Sequence, residues 1–220
     1  MILNMTKIDH WIFDLDNTLY PAENNLFAQV DRRMGEFISR EFDLDLDAAK
    51  LLQKKYFHTY GTTLRGLMSE HDIAPERFLD YVHDIDFEVL QVDHVLNEAI
   101  RKLKGGKVIY TNASREYALR VMDRLGQLGL FSDIFDIKAA DYLPKPTPES
   151  YHKMVRDLGL DPARSVMVED IARNLVPASR MGMKTVWLRT DHRWSAADRQ
   201  AAHIDHTVSD LADWLESQVY

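Results

Sequence analysis

Four short apolar runs, each followed at once by polar or charged residues, most constrain how this chain folds. They occupy residues 9–14, 107–110, 165–168 and 184–188, and weaker runs of the same kind lie at 134–137 and around 206–208. A short apolar run that stops at polar residues is typical of a buried parallel strand whose end lies at a ligand site.

Helical patterns separate these runs. Residues 115–126 carry apolar side chains at helical spacing, with Ser114 as a candidate N-cap, and residues 148–158 and 174–181 also read as helices. Strands that alternate with helices predict a parallel α/β sheet covered on both faces, with right-handed crossovers. In such sheets, ligands bind at the carboxyl ends of the strands.

One region breaks this alternation. From about Ala22 to Leu103, apolar residues recur at helical spacing and no run indicates a strand. We therefore predict an α/β core domain formed by residues 1–19 and 104–220, with an all-helical cap domain, residues 20–103, inserted after the first strand. The pair Gly105-Gly106 is a natural hinge where the chain returns to the core.

The composition limits the chemistry and the partners. The chain has 220 residues and no cysteine, which excludes disulfides, thiolate nucleophiles and thiolate zinc sites. Its net charge is -8 and it has no dense Lys/Arg block, so a nucleic-acid polymer is a poor candidate partner. It shows neither a signal-peptide pattern nor an apolar run of about 18 residues. We expect a cytoplasmic protein that does not bind membranes.

The first run ends in Asp14-Leu15-Asp16, the strongest chemical signal in the sequence. Here the side chain of one aspartate and the backbone carbonyl of the other can converge on a hard cation such as Mg²⁺. The cation keeps Asp14 ionised, and an ionised carboxylate can attack phosphorus to form an aspartyl phosphate. Asp16 is the candidate that protonates the leaving alkoxide and then activates water. The alternative interpretation is that both aspartates only form a turn.

Two further segments offer groups that suit phosphate. Thr111-Asn112 follows the second run, where a hydroxyl, an amide and free backbone N–H groups at a helix start form an anion cradle. Lys145 lies between two prolines that fix its backbone, and lysine binds phosphate as a point charge. The alternatives are simple helix capping at the first segment and a solvated lysine on a stiff turn at the second.

The third run ends in Glu169-Asp170, with Asn174 four residues beyond. Adjacent buried acids are costly unless they pair with a cation or bind a metal. We expect Asp170 to be a metal ligand, and Asn174 to contact the acids without binding the metal itself. Glu169 either ligates the metal through water or pairs with Lys145. The alternative is that Asp170 only caps a helix.

Together these strand ends resemble the haloacid dehalogenase superfamily, whose four motifs occur here in order. The matching residues are Asp14 and Asp16, Thr111, Lys145, and Glu169 with Asp170. The resemblance covers essentially the whole chain, including a helical cap after the first motif, and implies a Rossmann-like core. In the dehalogenases compared, the second aspartate is absent and no magnesium is needed, so the presence of Asp16 favours phosphate chemistry.

The resemblance also implies a role for each matching residue. Asp14 is the nucleophile and a ligand of Mg²⁺, and Asp16 is the general acid/base, with its carbonyl on the metal. Thr111 and Lys145 bind the phosphate group, with Asn112 beside them. Asp170 completes the metal site.

The segments 14–21 and 60–67 resemble, within the superfamily, the pyrimidine 5′-nucleotidase branch. This implies a small phosphorylated metabolite as partner, in particular a nucleoside monophosphate. Ile171 departs from the pattern, because many relatives have a small hydroxyl residue there. A phosphatase for a sugar phosphate or a small phosphorylated acid, a phosphomutase and a non-catalytic binding protein on the same fold remain alternatives.

Substrate specificity is expected to come from the cap. Tyr60, Thr62 and Arg65 lie together between two helical patterns, where a tyrosine can stack on a base and the other two can bond its edge. Leu51, Leu52, Tyr56 and Tyr60 form an apolar stripe at helical spacing. We expect this stripe to be buried, with Tyr56 in the interior of the cap.

Overall fold

A parallel six-stranded sheet forms the centre of the fold. The computed structural model describes residues 8–190 and 202–218. The strands are β1 (His10–Phe13), β2 (Gly106–Tyr110), β3 (Asp133–Phe135), β4 (Ser165–Glu169), β5 (Lys184–Leu188) and β6 (His206–Val208). Their order across the sheet is β3-β2-β1-β4-β5-β6, and all five pairs are parallel. The predicted α/β class and all six runs are confirmed.

Strand β1 occupies the middle of the sheet because both of its faces are apolar. Trp11, Ile12 and Phe13 are completely buried, as expected for a strand covered on both sides. The pairing continues past the strand, since the amide of Asp14 donates to the carbonyl of Val168 at 2.9 Å. The ends of β1 and β4 therefore lie side by side.

Helices follow the strands as the alternation predicts. They are α6 (Arg115–Arg124), α7 (Pro148–Asp157), α8 (Leu175–Arg180) and α9 (Leu211–Gln218). The N-cap prediction at Ser114 is confirmed, because its side chain accepts a hydrogen bond from the amide of Tyr117. Of the helices in the described part of the chain, none is long and apolar enough to cross a membrane.

Residues 14–105, all described, contain helices and no strand. The α-helices are α1 (Leu26–Phe42), α2 (Leu46–Tyr60), α3 (Thr63–His71), α4 (Pro75–Val82) and α5 (His94–Lys102). We call residues 20–103 the helical insertion. Its division from the core at these boundaries remains a prediction. The predicted core domain also includes residues 1–7, 191–201 and 219–220, which lie outside the described residues.

Helix α2 differs from its predicted apolar stripe. Leu51 was expected on the buried face but is 74% exposed, whereas Ala49, Gln53 and Tyr56 are buried. The cause is the packing of α2 between α1 and α3, which selects a face that includes a glutamine. Tyr56 is interior, as expected, and its hydroxyl is hydrogen-bonded to His71 at 2.5 Å.

Gly66 permits the close contact between α2 and α3, and its replacement should destabilise the insertion. A Cβ on Gly66 would lie 2.4 Å from Tyr56 side-chain atoms. We expect Gly66→Ala to lower the free energy of unfolding by about 1–3 kcal/mol, the usual range for overpacking. Urea unfolding followed by circular dichroism measures this.

Gly35→Ala is the matched control, because a Cβ there lies at an ordinary 3.5 Å from the nearest atom, Oε1 of Gln53. An alanine in helix α1 should leave stability unchanged or raise it by up to about 1 kcal/mol. Equal effects of the two substitutions would contradict the packing argument.

Candidate active site

The predicted site residues meet at the carboxyl edge of the sheet. Asp14 follows β1, Thr111 follows β2, Lys145 lies before α7, and Glu169 and Asp170 stand at the end of β4. All five line one cavity of about 550 Å³. Carboxylate oxygens of Asp14, Glu169 and Asp170 lie within 4.8 Å of one another. Segments more than 150 residues apart in the sequence thus form one buried acidic cluster.

Both oxygens of the Asp14 carboxylate are held by neighbouring donors. Lys145 Nζ donates to Oδ1 at 2.5 Å, and the Thr18 hydroxyl donates to Oδ2 at 3.1 Å. Asp14 is only 6% exposed, and it faces the cavity. The carboxylate is therefore fixed in orientation.

Lys145 joins three strand ends through its ammonium group. Besides Asp14, its Nζ donates to Oε2 of Glu169 at 2.7 Å and to the carbonyl of Tyr110 at 2.9 Å. Burial lowers the pKa of Lys145, but the Asp14 and Glu169 carboxylates raise it by more, so the net pKa lies well above its ordinary value. Lys145 is consequently cationic at neutral pH.

Asn112 fixes the backbone of Lys145. Its Oδ1 accepts a hydrogen bond from the Lys145 amide at 2.8 Å, and its Nδ2 donates to the Lys145 carbonyl at 3.4 Å. The Thr111 hydroxyl accepts from the amide of Ala113 at 3.0 Å and retains its own proton for a further partner. Both residues line the cavity, but the Asn112 side chain already makes two hydrogen bonds to the Lys145 backbone.

Of the two roles expected for Glu169, the structure contains the pairing with Lys145. Its Oε2 accepts from Lys145, and its Oε1 accepts from Asn174 Nδ2 at 3.1 Å and from the amide of Ile171 at 3.2 Å. Burial raises its pKa, and so does the charge of Asp14. Glu169 therefore holds Lys145 in place, and Asn174 in turn holds Glu169.

One carboxylate oxygen of Asp170, Oδ2, is buried. No hydrogen-bond donor among the described residues reaches its Oδ2, although the side chain is 1% exposed. Burial and the charge of Glu169 raise its pKa. Its carbonyl accepts from Trp187 Nε1 at 2.8 Å, a contact that sequence reasoning missed. An orphaned carboxylate oxygen beside Asp14 fits a hard divalent cation with oxygen ligands, such as Mg²⁺.

Asp16 is held by two tyrosines that the sequence analysis did not single out. The hydroxyls of Tyr20 and Tyr117 both donate to its Oδ1, at 2.5 and 2.8 Å. Burial and the nearby charge of Asp14 raise the pKa of Asp16 to about 6. The Asp16 carboxyl group therefore holds a proton up to a higher pH than an ordinary aspartate does, which suits a general acid/base.

The helical insertion forms the opposite wall of the cavity. The predicted specificity residue Thr62 lines it, but the Thr62 hydroxyl also caps α3 by accepting from the amide of Arg65 at 3.1 Å. Tyr60 and Arg65 are not among the lining residues, and the Tyr60 hydroxyl donates to Glu70. Apolar residues supply much of this wall, namely Phe27, Met34, Phe57, Leu64, Phe78, Leu79 and Val82.

The fold and the site together define a class of hydrolase. A parallel α/β sheet carries an aspartate at the end of its central strand, a buried lysine on that aspartate, and an acidic pair on the neighbouring strand. Comparison with family models agrees, since residues 8–182 match the haloacid dehalogenase-like hydrolases. This match covers more than half of the chain, and the chain belongs to that family.

Curated relatives include proteins of phosphate chemistry. Phosphate metabolism protein 8 of Saccharomyces cerevisiae is 27% identical over 191 residues, which are 79% of this chain and 59% of the yeast protein. The chain thus matches about three fifths of that relative's length. Validoxylamine A 7′-phosphate phosphatase of Streptomyces hygroscopicus subsp. limoneus is 30% identical over 213 residues, 92% of this chain and 93% of the relative.

A solved structure supports the fold. The haloacid dehalogenase phosphatase from Thermococcus onnurineus superposes with a TM-score of 0.64 at 19% identity, covering 95% of this chain and 97% of the other. At this identity the similarity concerns the fold alone.

The buried acids should make the metal-free protein less stable as the pH rises. The folded-state pKa of Asp16 is about 6, above its ordinary 3.8, so the stability present below about pH 4 is lost as the pH rises through about 6. The raised pKa values of Glu169 and Asp170 act in the same direction. Urea midpoints measured with a chelator should fall between about pH 5 and about pH 7.5.

Mg²⁺ should reverse this loss, because a ligand that binds only the folded state stabilises it. We expect the gain to be larger near neutral pH than at about pH 5, where protons compete for the carboxylates. Asp170→Asn should remove most of the gain, whereas Asp9→Asn, at the opposite end of β1, should retain it. A gain that is independent of pH, or that survives Asp170→Asn, would contradict the proposed ligand set.

Proposed function

We propose that this chain is a Mg²⁺-dependent phosphomonoester hydrolase that works through an aspartyl phosphate on Asp14, and that its substrate is a nucleoside 5′-monophosphate, in particular a pyrimidine nucleotide. The proposal rests chiefly on one observation. The Asp14 carboxylate lies at the carboxyl end of the central strand and faces the cavity. It accepts hydrogen bonds from Lys145 and Thr18.

The first half-reaction transfers the phosphoryl group to the protein. A carboxylate oxygen of Asp14 forms a bond to phosphorus while the bond from phosphorus to the ester oxygen breaks. The departing alkoxide takes the proton of Asp16, and the alcohol leaves. The Lys145 ammonium and the Thr111 hydroxyl lie on the cavity wall beside Asp14, where they stabilise charge on the phosphoryl oxygens.

The second half-reaction restores the carboxylate. Asp16, now ionised, accepts a proton from water, and the water oxygen attacks phosphorus. The bond between phosphorus and Asp14 breaks, releasing inorganic phosphate. One group can serve both steps because its pKa of about 6 lies near neutrality, so the acid and base forms are both accessible.

The residues present fit a magnesium ion. Asp14, the backbone carbonyl of Asp16 and the orphaned Oδ2 of Asp170 are the groups that would hold it. When bound, Mg²⁺ neutralises charge on the phosphate and on the acidic cluster.

Asp14→Asn should abolish turnover while leaving the fold intact, because an amide oxygen is a poor nucleophile. Hydrolysis of p-nitrophenyl phosphate with Mg²⁺ should fall by at least about a thousandfold, within the span covered by covalent catalysis. Asp9→Asn is the control, since Asp9 pairs with Arg164 away from the cavity. Substantial activity in the Asp14 variant would overturn the nucleophile assignment. A wild-type protein inactive on a broad panel of phosphate esters would favour a non-catalytic binding protein.

The residues that line the cavity favour a substrate with a flat organic group. Aromatic and aliphatic side chains line the insertion side, and a polyol placed there would leave hydroxyl groups without partners. A small polar group lies on the same wall. Asp31 Oδ1 accepts from Gln53 Nε2 at 2.7 Å and from Lys54 Nζ at 2.9 Å. A planar base with polar edges matches such a surface.

Uridine and cytidine monophosphates should therefore be better substrates than sugar phosphates. We expect kcat/KM for the nucleotides to exceed that for ribose 5-phosphate by about tenfold or more, the scale of one good apolar contact. Ribose 5-phosphate is the matched control, because it carries the same phosphate and sugar without the base. The Streptomyces relative is named for a validoxylamine 7′-phosphate, so the panel should include other sugar-like phosphates and small phosphorylated acids. Equal or better hydrolysis of these would contradict the nucleotide proposal.

A further inference from the structure

We infer that Tyr20 and Tyr117 are positioning residues that hold the general acid/base Asp16 by one oxygen and leave its other oxygen for the substrate. The inference rests on the proposed phosphatase function, within which it assigns residues that neither the sequence motifs nor the family match single out. The two tyrosines come from different parts of the chain, Tyr20 from the turn after β1 and Tyr117 from the first turn of α6.

The geometry is asymmetric at the Asp16 carboxyl group. Both phenolic hydroxyls donate to Oδ1, at 2.5 and 2.8 Å, while neither donates to Oδ2. Both tyrosines are 2% exposed, so water has little access to replace either donor. Asp16 itself lines the cavity. A proton carried by Asp16 therefore resides on Oδ2, because Oδ1 already accepts two hydrogen bonds.

The two hydrogen bonds to Oδ1 restrict rotation of the Asp16 carboxyl group. Asp16 lies two residues from the nucleophile, and an unrestrained carboxyl group there can rotate and present either oxygen to any neighbour. Proton transfer to a leaving alkoxide requires the acidic oxygen within hydrogen-bond reach of the ester oxygen. Two donors on Oδ1 fix the side-chain rotation, so the Oδ2 proton passes to the ester oxygen as its bond to phosphorus breaks.

The helical insertion holds Tyr117 from the other side. The ring of His83 stacks on the Tyr117 ring, with centroids 4.3 Å apart and planes inclined by 26°. His83 Nδ1 is in turn hydrogen-bonded to the Ser114 hydroxyl at 3.2 Å, and Phe87 packs against the same tyrosine ring at 5.7 Å. The Tyr117 ring therefore packs against the insertion while its hydroxyl bonds Asp16.

A structural role and a positioning role make different predictions about the leaving group. If the tyrosines only fill space, Tyr117→Phe and Tyr20→Phe lower turnover of all substrates alike or not at all. If they aim the acid, the loss is large when the leaving group needs a proton and small when it does not. The matched pair p-nitrophenyl phosphate and p-nitrobenzyl phosphate separates these cases, because they differ by one methylene, and only the benzyl alkoxide is strongly basic.

The experiment measures kcat/KM for both esters with Mg²⁺ in wild type, both single variants and the double variant. We expect Tyr117→Phe to lower kcat/KM for p-nitrobenzyl phosphate by about tenfold or more, a fraction of the usual contribution of general acid catalysis. We expect a loss below about threefold for p-nitrophenyl phosphate, and a greater difference in the double variant. The single variants keep the test decisive if the double variant does not fold.

Tyr56→Phe is the control, since it removes an interior tyrosine hydroxyl bonded to His71 and does not line the cavity. This variant should change kcat/KM by the same factor for both esters. Mg²⁺ affinity, measured by calorimetry, should be unchanged in the tyrosine variants. A parallel fall in metal affinity, or equal losses for the two esters, would overturn the inference. A wild-type protein that hydrolyses neither ester nor any other phosphate would instead refute the proposed function.

Discussion

The buried contact of Lys145 with Asp14 and Glu169 is the interaction on which the rest of the site depends. Its ammonium group has three N–H donors, and they reach two carboxylates and the Tyr110 carbonyl at 2.5 to 2.9 Å. A buried charge is stable only when it is paired and fully hydrogen-bonded. Because the three acceptors belong to the ends of β1, β2 and β4, this one side chain bridges those strand ends. Removal of the lysine would leave two buried carboxylates beside each other without a counter-ion.

The four acids of the site are distinguished by their surroundings rather than by residue type. Asp14 is held by a cation and a hydroxyl, and both oxygens of Glu169 accept hydrogen bonds from protein groups. The Oδ2 of Asp170 has no hydrogen-bond partner within residues 8–190 and 202–218, and Asp16 is bonded by two neutral phenols. Environments that differ in this way drive carboxyl groups towards different protonation states and hence different roles. The proposed roles of nucleophile, supporting residue, metal ligand and general acid rest on these differences in surroundings.

Local sequence patterns predicted the strand ends because an apolar run and the polar residues after it are neighbours in the chain. The same reasoning could not decide between pairing and metal ligation for Glu169, which depends on where Lys145 lies in space. Tyr117 contacts Asp16 across 101 residues, and Trp187 reaches Asp170 from another strand. No local pattern marks either contact. Leu51 fits a helical stripe as well as Ala49 does, and only the packing of α2 between its neighbours determines which face is buried.

The site divides into two walls with different chemistry. The core supplies the charged groups that we propose act on phosphate, whereas the helical insertion supplies an apolar surface and the polar group around Asp31. Such a division lets the insertion change the recognised alcohol while the phosphate chemistry is kept, since the two sets of residues lie on different segments. The division is incomplete at Tyr117, which bonds the acid on one side and packs against His83 of the insertion on the other. If Tyr117 positions the acid as proposed, a change in the insertion that moves His83 affects the chemical step as well as recognition, because Tyr117 then no longer holds Asp16 in place.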